Sequence, residues 1–142
     1  MNGAALIFDG VDVVYGAHRA VARARLARGA SREDLREAGY VVAVEGASLG
    51  VQRGEICVLM GLSGSGKSSL LRCANGLTPV TRGRVLVRDG EQQIDVATCD
   101  VRRLRALRQR RIAMVFQHFA LMPWRTVREN AAFGLELQGV PR

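Results

Sequence analysis

At 142 residues, with 48% hydrophobic and 24% charged residues, the chain is sized for one domain with a single core and has the composition of a soluble globular protein, not a disordered one. No apolar run approaches the roughly 18 residues of a membrane span, and the start MNGAALIFDG lacks the basic and long apolar regions of a secretory signal, so the cytoplasm is the default address. The net charge of +8 comes from 20 arginines and one lysine scattered along the chain, and only 5% of residues are aromatic; the stacking platforms of a single-strand binder are excluded and no nucleic-acid partner is expected.

From Ala5 to Gly16 apolar residues alternate at Leu6, Phe8, Val11 and Val13, the habit of a strand, and Tyr15-Gly16 marks its end. From His18 to Gly39 the pattern changes to Ala, Arg and Leu at helical spacing. Ser31 stands three residues before Asp34, as a capping box requires, and Gly39 is placed to stop the helix. The segment at about 18–39 thus reads as a helical insertion between two strands. Alternation returns at Val41–Val51, with Val42, Val44, Ala47 and Leu49 as candidate inward positions.

The run Ile56-Cys57-Val58-Leu59-Met60 predicts a strand buried on both faces, as in a parallel sheet covered by helices. A helix is predicted over 70–75, stopped by Gly76, then a turn at 79–83, a strand at 84–88 and a hairpin at Asp89-Gly90. Asp100 is placed to cap a helix from Val101 to about Gln109 that buries Val101, Leu104 and Leu107 and turns its arginines to water. Ile112–Phe116 predicts a second buried strand, and Arg125–Leu137 a helix. The three cysteines, Cys57, Cys73 and Cys99, are odd in number and lack metal-ligand spacing, so they are expected to be reduced and buried or half-buried.

Gly61-Leu62-Ser63-Gly64-Ser65-Gly66-Lys67-Ser68 fills the pattern G-x-x-x-x-G-K-[ST], with Ser69 beside it. The glycines let the backbone turn sharply and bring its N–H groups to phosphate oxygens. The following helix offers unpaired N–H groups and the positive end of its dipole to the same anion. Lys67 can set a compact cation between the β- and γ-phosphates of ATP, and the Ser68 hydroxyl can ligate Mg²⁺. Lys67 is the chain's one lysine, placed where an arginine's planar fork would crowd the phosphates.

Other residues narrow the kind of nucleotide protein: Tyr15-Gly16, Gly54-Glu55 ahead of the loop, Thr81-x-Gly83, and MVFQHFALMPWRTVRENAAFGLEL. Together they resemble the ATPase subunits of ABC transporters, over nearly the whole chain. That resemblance implies an α/β fold of the P-loop NTPase type. Here it would be the N-terminal part of a nucleotide-binding domain over residues 1–142: an antiparallel β subdomain, the phosphate-loop strand and helix, and the helical insertion. Gln117 matches the glutamine of the family's Q-loop, which approaches Mg²⁺ and the attacking water and meets the transmembrane subunit. Thr126-Val127-x-Glu129-Asn130 matches the stretch that follows. Tyr15 resembles the aromatic that stacks on adenine, with packing on the core as the alternative.

Phe119 and Trp124 either line the groove for the transmembrane partner or pack in a core, and His118 is a bystander. The segments MGLSGSGKSSLLRCANGL and FQHFALMPWRTVRENAAFGLEL, with the insertion, resemble most the importers of choline, glycine betaine and proline. The resemblance implies a homodimer of ATPase subunits on a transmembrane permease at the cytoplasmic face of the membrane, served indirectly by an extracytoplasmic substrate-binding protein. The family's LSGGQ signature, Asp-Glu strand and switch histidine do not occur in these 142 residues. The expectation is therefore a truncated chain that hydrolyses ATP poorly or not at all, belonging to a full-length ATPase. A non-hydrolysing nucleotide-binding chain and a small P-loop kinase are the rival readings.

Overall fold

The computed structural model describes residues 3–116 and 121–140. In chain order they form β1 (Ala4–Tyr15), α1 (Arg19–Ala27), α2 (Arg32–Glu37), β2 (Val41–Gln52), α3 (Lys67–Ala74), β3 (Arg82–Asp89), β4 (Gln92–Asp95), α4 (Val101–Arg110) and α5 (Val127–Leu137). The four strands make one antiparallel sheet in the order β2-β1-β3-β4. The β3–β4 hairpin turns at Gly90, whose φ of 66° is the left-handed backbone that only glycine adopts without cost.

β1 is the hub, and it is buried on both faces. Phe8, Val11 and Val13 join Val44, Val85, Val87 and Ile94 in the main core, which α3 covers with Leu70 and Cys73 and α4 with Leu107. Val14 faces the other way, into a second core with Ala22, Leu26, Leu35 and Tyr40. Alternation along β1 identifies the first set; the second exists only because the insertion folds back over the end of the strand. Leu35 is fully buried there, a contribution of about 1.5–3 kcal/mol for a side chain of its size.

The insertion is two helices. α2 carries a complete capping box: Ser31 Oγ accepts from the Asp34 N–H, and the Asp34 carboxylate accepts from the Ser31 N–H at 2.8 Å. The Ser31 backbone N–H, and then its hydroxyl, hold the Asp34 carboxyl below the usual carboxylate range. Gly39 follows the helix with φ 80°, as a stop signal requires.

Asp12, almost wholly buried, ties three strands together. It accepts the Gly46 N–H of β2 at 2.6 Å, and its other oxygen lies 2.5 Å from Arg82 Nε of β3 in an ion pair. Its backbone carbonyl accepts the Thr81 N–H, while Thr81 Oγ1 accepts from Val14 N–H. The close crossing of β1 and β3 requires Gly83: at φ 90°, any Cβ there would run into the Gly10 carbonyl.

Three expectations are corrected. Neither apolar run, 56–60 or 112–116, forms a strand. Ile56, Val58, Met60 and Val115 are exposed, and only Leu59 and Ile112 pack partly on the main core. A strand buried on both faces needs neighbouring strands and a cover on each side; among the described residues these runs receive neither. For the same reason Cys57 is exposed, whereas Cys73 is buried and Cys99 half-buried. On α4 the inward face consists of Leu104 and Leu107 alone, because Val101 sits in the first turn beyond the edge of the core and is exposed.

Candidate functional site

Residues 61–66 carry the chain from the edge of the sheet into α3, which begins at Lys67, three residues before the predicted start. Gly66 is the N-cap, with φ 88°, and it is wedged against β2: a Cβ on it would strike the Ala43 carbonyl. The loop therefore sits on β2 with no side chain between the two backbones. Gly66, the second fixed glycine of the pattern, serves this close packing as well as the turn.

α3 starts without a side-chain cap, as α1 does, but it alone of the two follows the glycine–lysine loop. α2, α4 and α5 are each capped by a side chain, from Ser31, Asp100 and Thr126 respectively. α3 has no side-chain cap, and its first backbone bond runs from Leu70 N–H to the Gly66 carbonyl at 2.9 Å. The N–H groups of Lys67, Ser68 and Ser69 are thus left without helical acceptors, aimed out of a helix end that carries partial positive charge. Such an end accepts an anion.

Lys67 stands at the same place with its ammonium folded over the loop. Nζ donates to the carbonyls of Gly61 at 2.8 Å and Leu62 at 2.6 Å, and to Ser65 Oγ at 3.2 Å. These contacts close the loop into a ring around the lysine. Backbone carbonyls are neutral acceptors, so an entering phosphate, carrying full negative charge, is the stronger partner for the same ammonium. A cleft of about 560 Å³ opens beside the loop, lined by Gly64–Lys67 and by Ala43, Val44 and Glu45 of β2.

Of the other predicted site residues, Tyr15 is brought to the loop by the end of β1. Its hydroxyl donates to Ser69 Oγ at 3.0 Å, and its ring is partly exposed. Gln117, with His118 and Phe119, lies outside the described residues. Trp124 is exposed, so core packing does not hold for it. No group of three or more His, Cys, Asp or Glu side chains among the described residues is arranged to hold a metal on its own. A cation at Ser68 would have to share its coordination with the nucleotide's oxygens, which suits the Mg²⁺ that accompanies a triphosphate.

Beyond the loop, the stretch Thr126–Asn130 turns out to be a clasp. Thr126 and Glu129 form a second complete capping box at the start of α5. Asn130 Oδ1 accepts the Met122 N–H at 2.8 Å, and its Nδ2 donates to the carbonyls of Met122, Arg125 and Thr126. One half-buried amide thereby folds residues 122–126 onto α5. The capping box is visible in sequence as T-x-x-E; the Asn130 clasp depends on the turn it closes and has no pattern of its own.

The chain is similar to known proteins over most of its length. The chain is 47% identical over 128 residues to the glycine betaine/proline betaine transport system ATP-binding protein ProV of Salmonella typhimurium, covering 89% of the chain and 31% of the relative. It is 47% identical over 114 residues to the trimethylamine N-oxide transport system ATP-binding protein TmoW of Ruegeria pomeroyi, covering 80% and 32%. It is 50% identical over 99 residues to the methionine import ATP-binding protein MetN of Caulobacter vibrioides, covering 70% and 28%. The chain thus spans about a third of the length of the curated relatives it matches. The dimeric ATP-binding cassette MJ0796, solved in a post-hydrolysis state with ADP and Pi, superposes with a TM-score of 0.70 at 26% identity, over 96% of this chain and 48% of that one. The sequence pattern of the ABC transporter family runs through residues 44–140, from the strand under the phosphate loop to the end of α5, and on that match the chain belongs to the ABC transporter family.

Proposed function

We propose that residues 1–142 supply the N-terminal part of the nucleotide-binding domain of an ABC importer, binding ATP with Mg²⁺ at Gly61–Ser69 and powering uptake of glycine betaine-like, choline-like or proline-like solutes. One observation carries the nucleotide reading. A glycine loop and one lysine converge on a helix start whose backbone donors no side chain caps. In this reading the N–H groups of Gly64–Ser69 hold the β- and γ-phosphates, Lys67 exchanges its loop carbonyls for phosphate oxygens, and Ser68 Oγ faces the cation. The cation, when bound, neutralises charge on the leaving phosphates. Tyr15 stacks on adenine, and Gln117 would approach the cation and the attacking water and meet the transmembrane subunit.

The rest of the assignment rests on likeness. A second copy of the subunit faces the first across two nucleotides, and a transmembrane permease receives the pair. None of the described helices is long and apolar enough to cross a membrane, so attachment would be through that permease, at the cytoplasmic face. The substrate class follows the betaine-transport and trimethylamine N-oxide-transport relatives and the insertion ahead of β2. A substrate-binding protein outside the membrane would deliver the solute.

The test is uptake of radiolabelled glycine betaine by cells carrying the intact transporter, with Lys67→Ala as the probe. The expected result is loss of ATP binding by the purified protein and loss of uptake together. Uptake undiminished in Lys67→Ala removes the phosphate-loop assignment; uptake of methionine in place of betaine removes the substrate class and leaves the ATPase assignment standing.

A further inference from the structure

The cleft beside the phosphate loop has a wall that the phosphate chemistry alone does not call for. Arg32, the first residue of α2, lines the same space as Gly64, Ser65, Gly66 and Lys67. We infer that Arg32 is a second phosphate-binding cation, contributed by the helical insertion to the nucleotide held on the loop. This deepens the ATP-site reading above and rests on it.

Three observations support the role. First, among the described residues the Arg32 guanidinium has no hydrogen bond and no ion pair within 4.0 Å, although Glu45 lines the same cleft. The cleft is left net positive beside donors that already favour an anion. Second, Arg32 is well placed to be held still. The Ser31–Asp34 capping box fixes the turn it belongs to, and Leu35, three residues on, is fully buried against Val14, Ala22 and Tyr40. A guanidinium on an anchored helix loses less freedom on binding than one on a loop. Third, the two cations differ in reach and form. Lys67 is a point charge drawn in by Gly61, Leu62 and Ser65, whereas an arginine presents a planar fork that pairs with phosphate oxygens two at a time. The insertion would then do more than cover β1: it would add an arm to the nucleotide site from outside the loop.

The experiment is nucleotide titration of the intact purified protein by calorimetry, with MgATP, MgADP and AMP, for wild type, Arg32→Gln, Arg32→Lys and Arg36→Gln. Arg36 sits on the same helix without lining the phosphate-loop cleft, and so reports on diffuse charge. Arg32→Gln is expected to weaken ATP about tenfold (~1.4 kcal/mol), ADP less and AMP least, with part of the affinity restored in Arg32→Lys and no change in Arg36→Gln. Arg32→Gln binding ATP like wild type overturns the inference. So does an equal loss for all three nucleotides, or an equal loss in Arg36→Gln. If wild type binds none of the three nucleotides, the phosphate-loop reading itself has failed, a result distinct from any of these. Arg32 is exposed and outside both cores, so unchanged thermal midpoints are expected for its variants; Arg32→Lys, which keeps the charge and the helix, serves if Arg32→Gln proves unstable.

Discussion

The Tyr15 hydroxyl donates a hydrogen bond of 3.0 Å to Ser69 Oγ, joining the last residue of β1 to the first turn of the helix that carries the phosphate loop. The tyrosine proposed to receive the base is thus linked directly to the element proposed to receive the phosphates. Its ring and its hydroxyl have separable tasks. Tyr15→Phe removes an exposed hydrogen bond and should cost at most about 1 kcal/mol of stability, with ATP affinity kept. Tyr15→Ala removes the ring and should weaken ATP by ~1–2 kcal/mol. Calorimetric titration of both variants checks this; equal losses would mean that the hydroxyl, not the ring, matters.

Gly66 should tolerate no side chain. Its left-handed backbone at φ 88° alone costs an alanine about 1–2 kcal/mol, and the added Cβ meets the Ala43 carbonyl, which cannot move without disturbing β2. Urea unfolding of Gly66→Ala should therefore show a loss beyond ~2 kcal/mol. A loss below that would mean the loop is not seated on β2.

Asp12 is expected to be the costliest polar residue to remove from the sheet. Asp12→Ala strands the Gly46 N–H and leaves Arg82 without its carboxylate. The charged hydrogen bond alone is worth about 1.5–3 kcal/mol; Arg82 is half-exposed, so its charge is rescued by water and adds little. Asp12→Asn keeps the acceptor for Gly46 and should lose less. Chemical denaturation of the two variants gives the comparison, and an Asn variant as unstable as the Ala variant would assign the stabilisation to the ion pair.

The cysteines should react in order of exposure. Burial pushes the Cys73 thiol up to about 11, and its Sγ lies 3.2 Å from the Ser69 carbonyl. Burial, then the nearby Asp100 and Asp95 charges, also raise Cys99. Since the thiolate is the reactive form, Cys57 should label first with a maleimide in the native protein, and Cys73 only after unfolding. The linkage has a definite sign. Cys73 is raised from 9.0, so it holds its proton more tightly in the folded state; its contribution is full below pH 9.0 and is lost as pH climbs through about 11. Cys73→Ala should show a shallower fall in stability across that window than wild type.

Asn130→Ala should release the 122–126 turn from α5. Four hydrogen bonds from one amide are lost, two of them to Met122, at about 2 kcal/mol in total once water competes. Faster amide exchange at Met122, together with unchanged protection in β1, is the expected signature. If Met122 exchanges as in wild type, the clasp is not what holds the turn.

Where neighbours in sequence are also neighbours in space, the chemistry could be read from the residues alone. The glycine–lysine loop, the Ser31–Asp34 capping box, the Asp100 cap, the alternation of Phe8, Val11 and Val13, and the hairpin at Gly90 all follow from offsets of a few residues. Residues separated by tens of positions were decided only by the tertiary structure. Whether Val14 faces water or a core depends on Leu35 and Tyr40 arriving from the insertion. Gly66 must be glycine because of Ala43, and Arg32 meets the phosphate-loop cleft because α2 packs beside β2. The runs 56–60 and 112–116 make the same point in reverse, since they have the composition of buried strands. A strand is a relation between segments, though: hydrophobicity says that a run seeks cover, and only packing says whether it has found any.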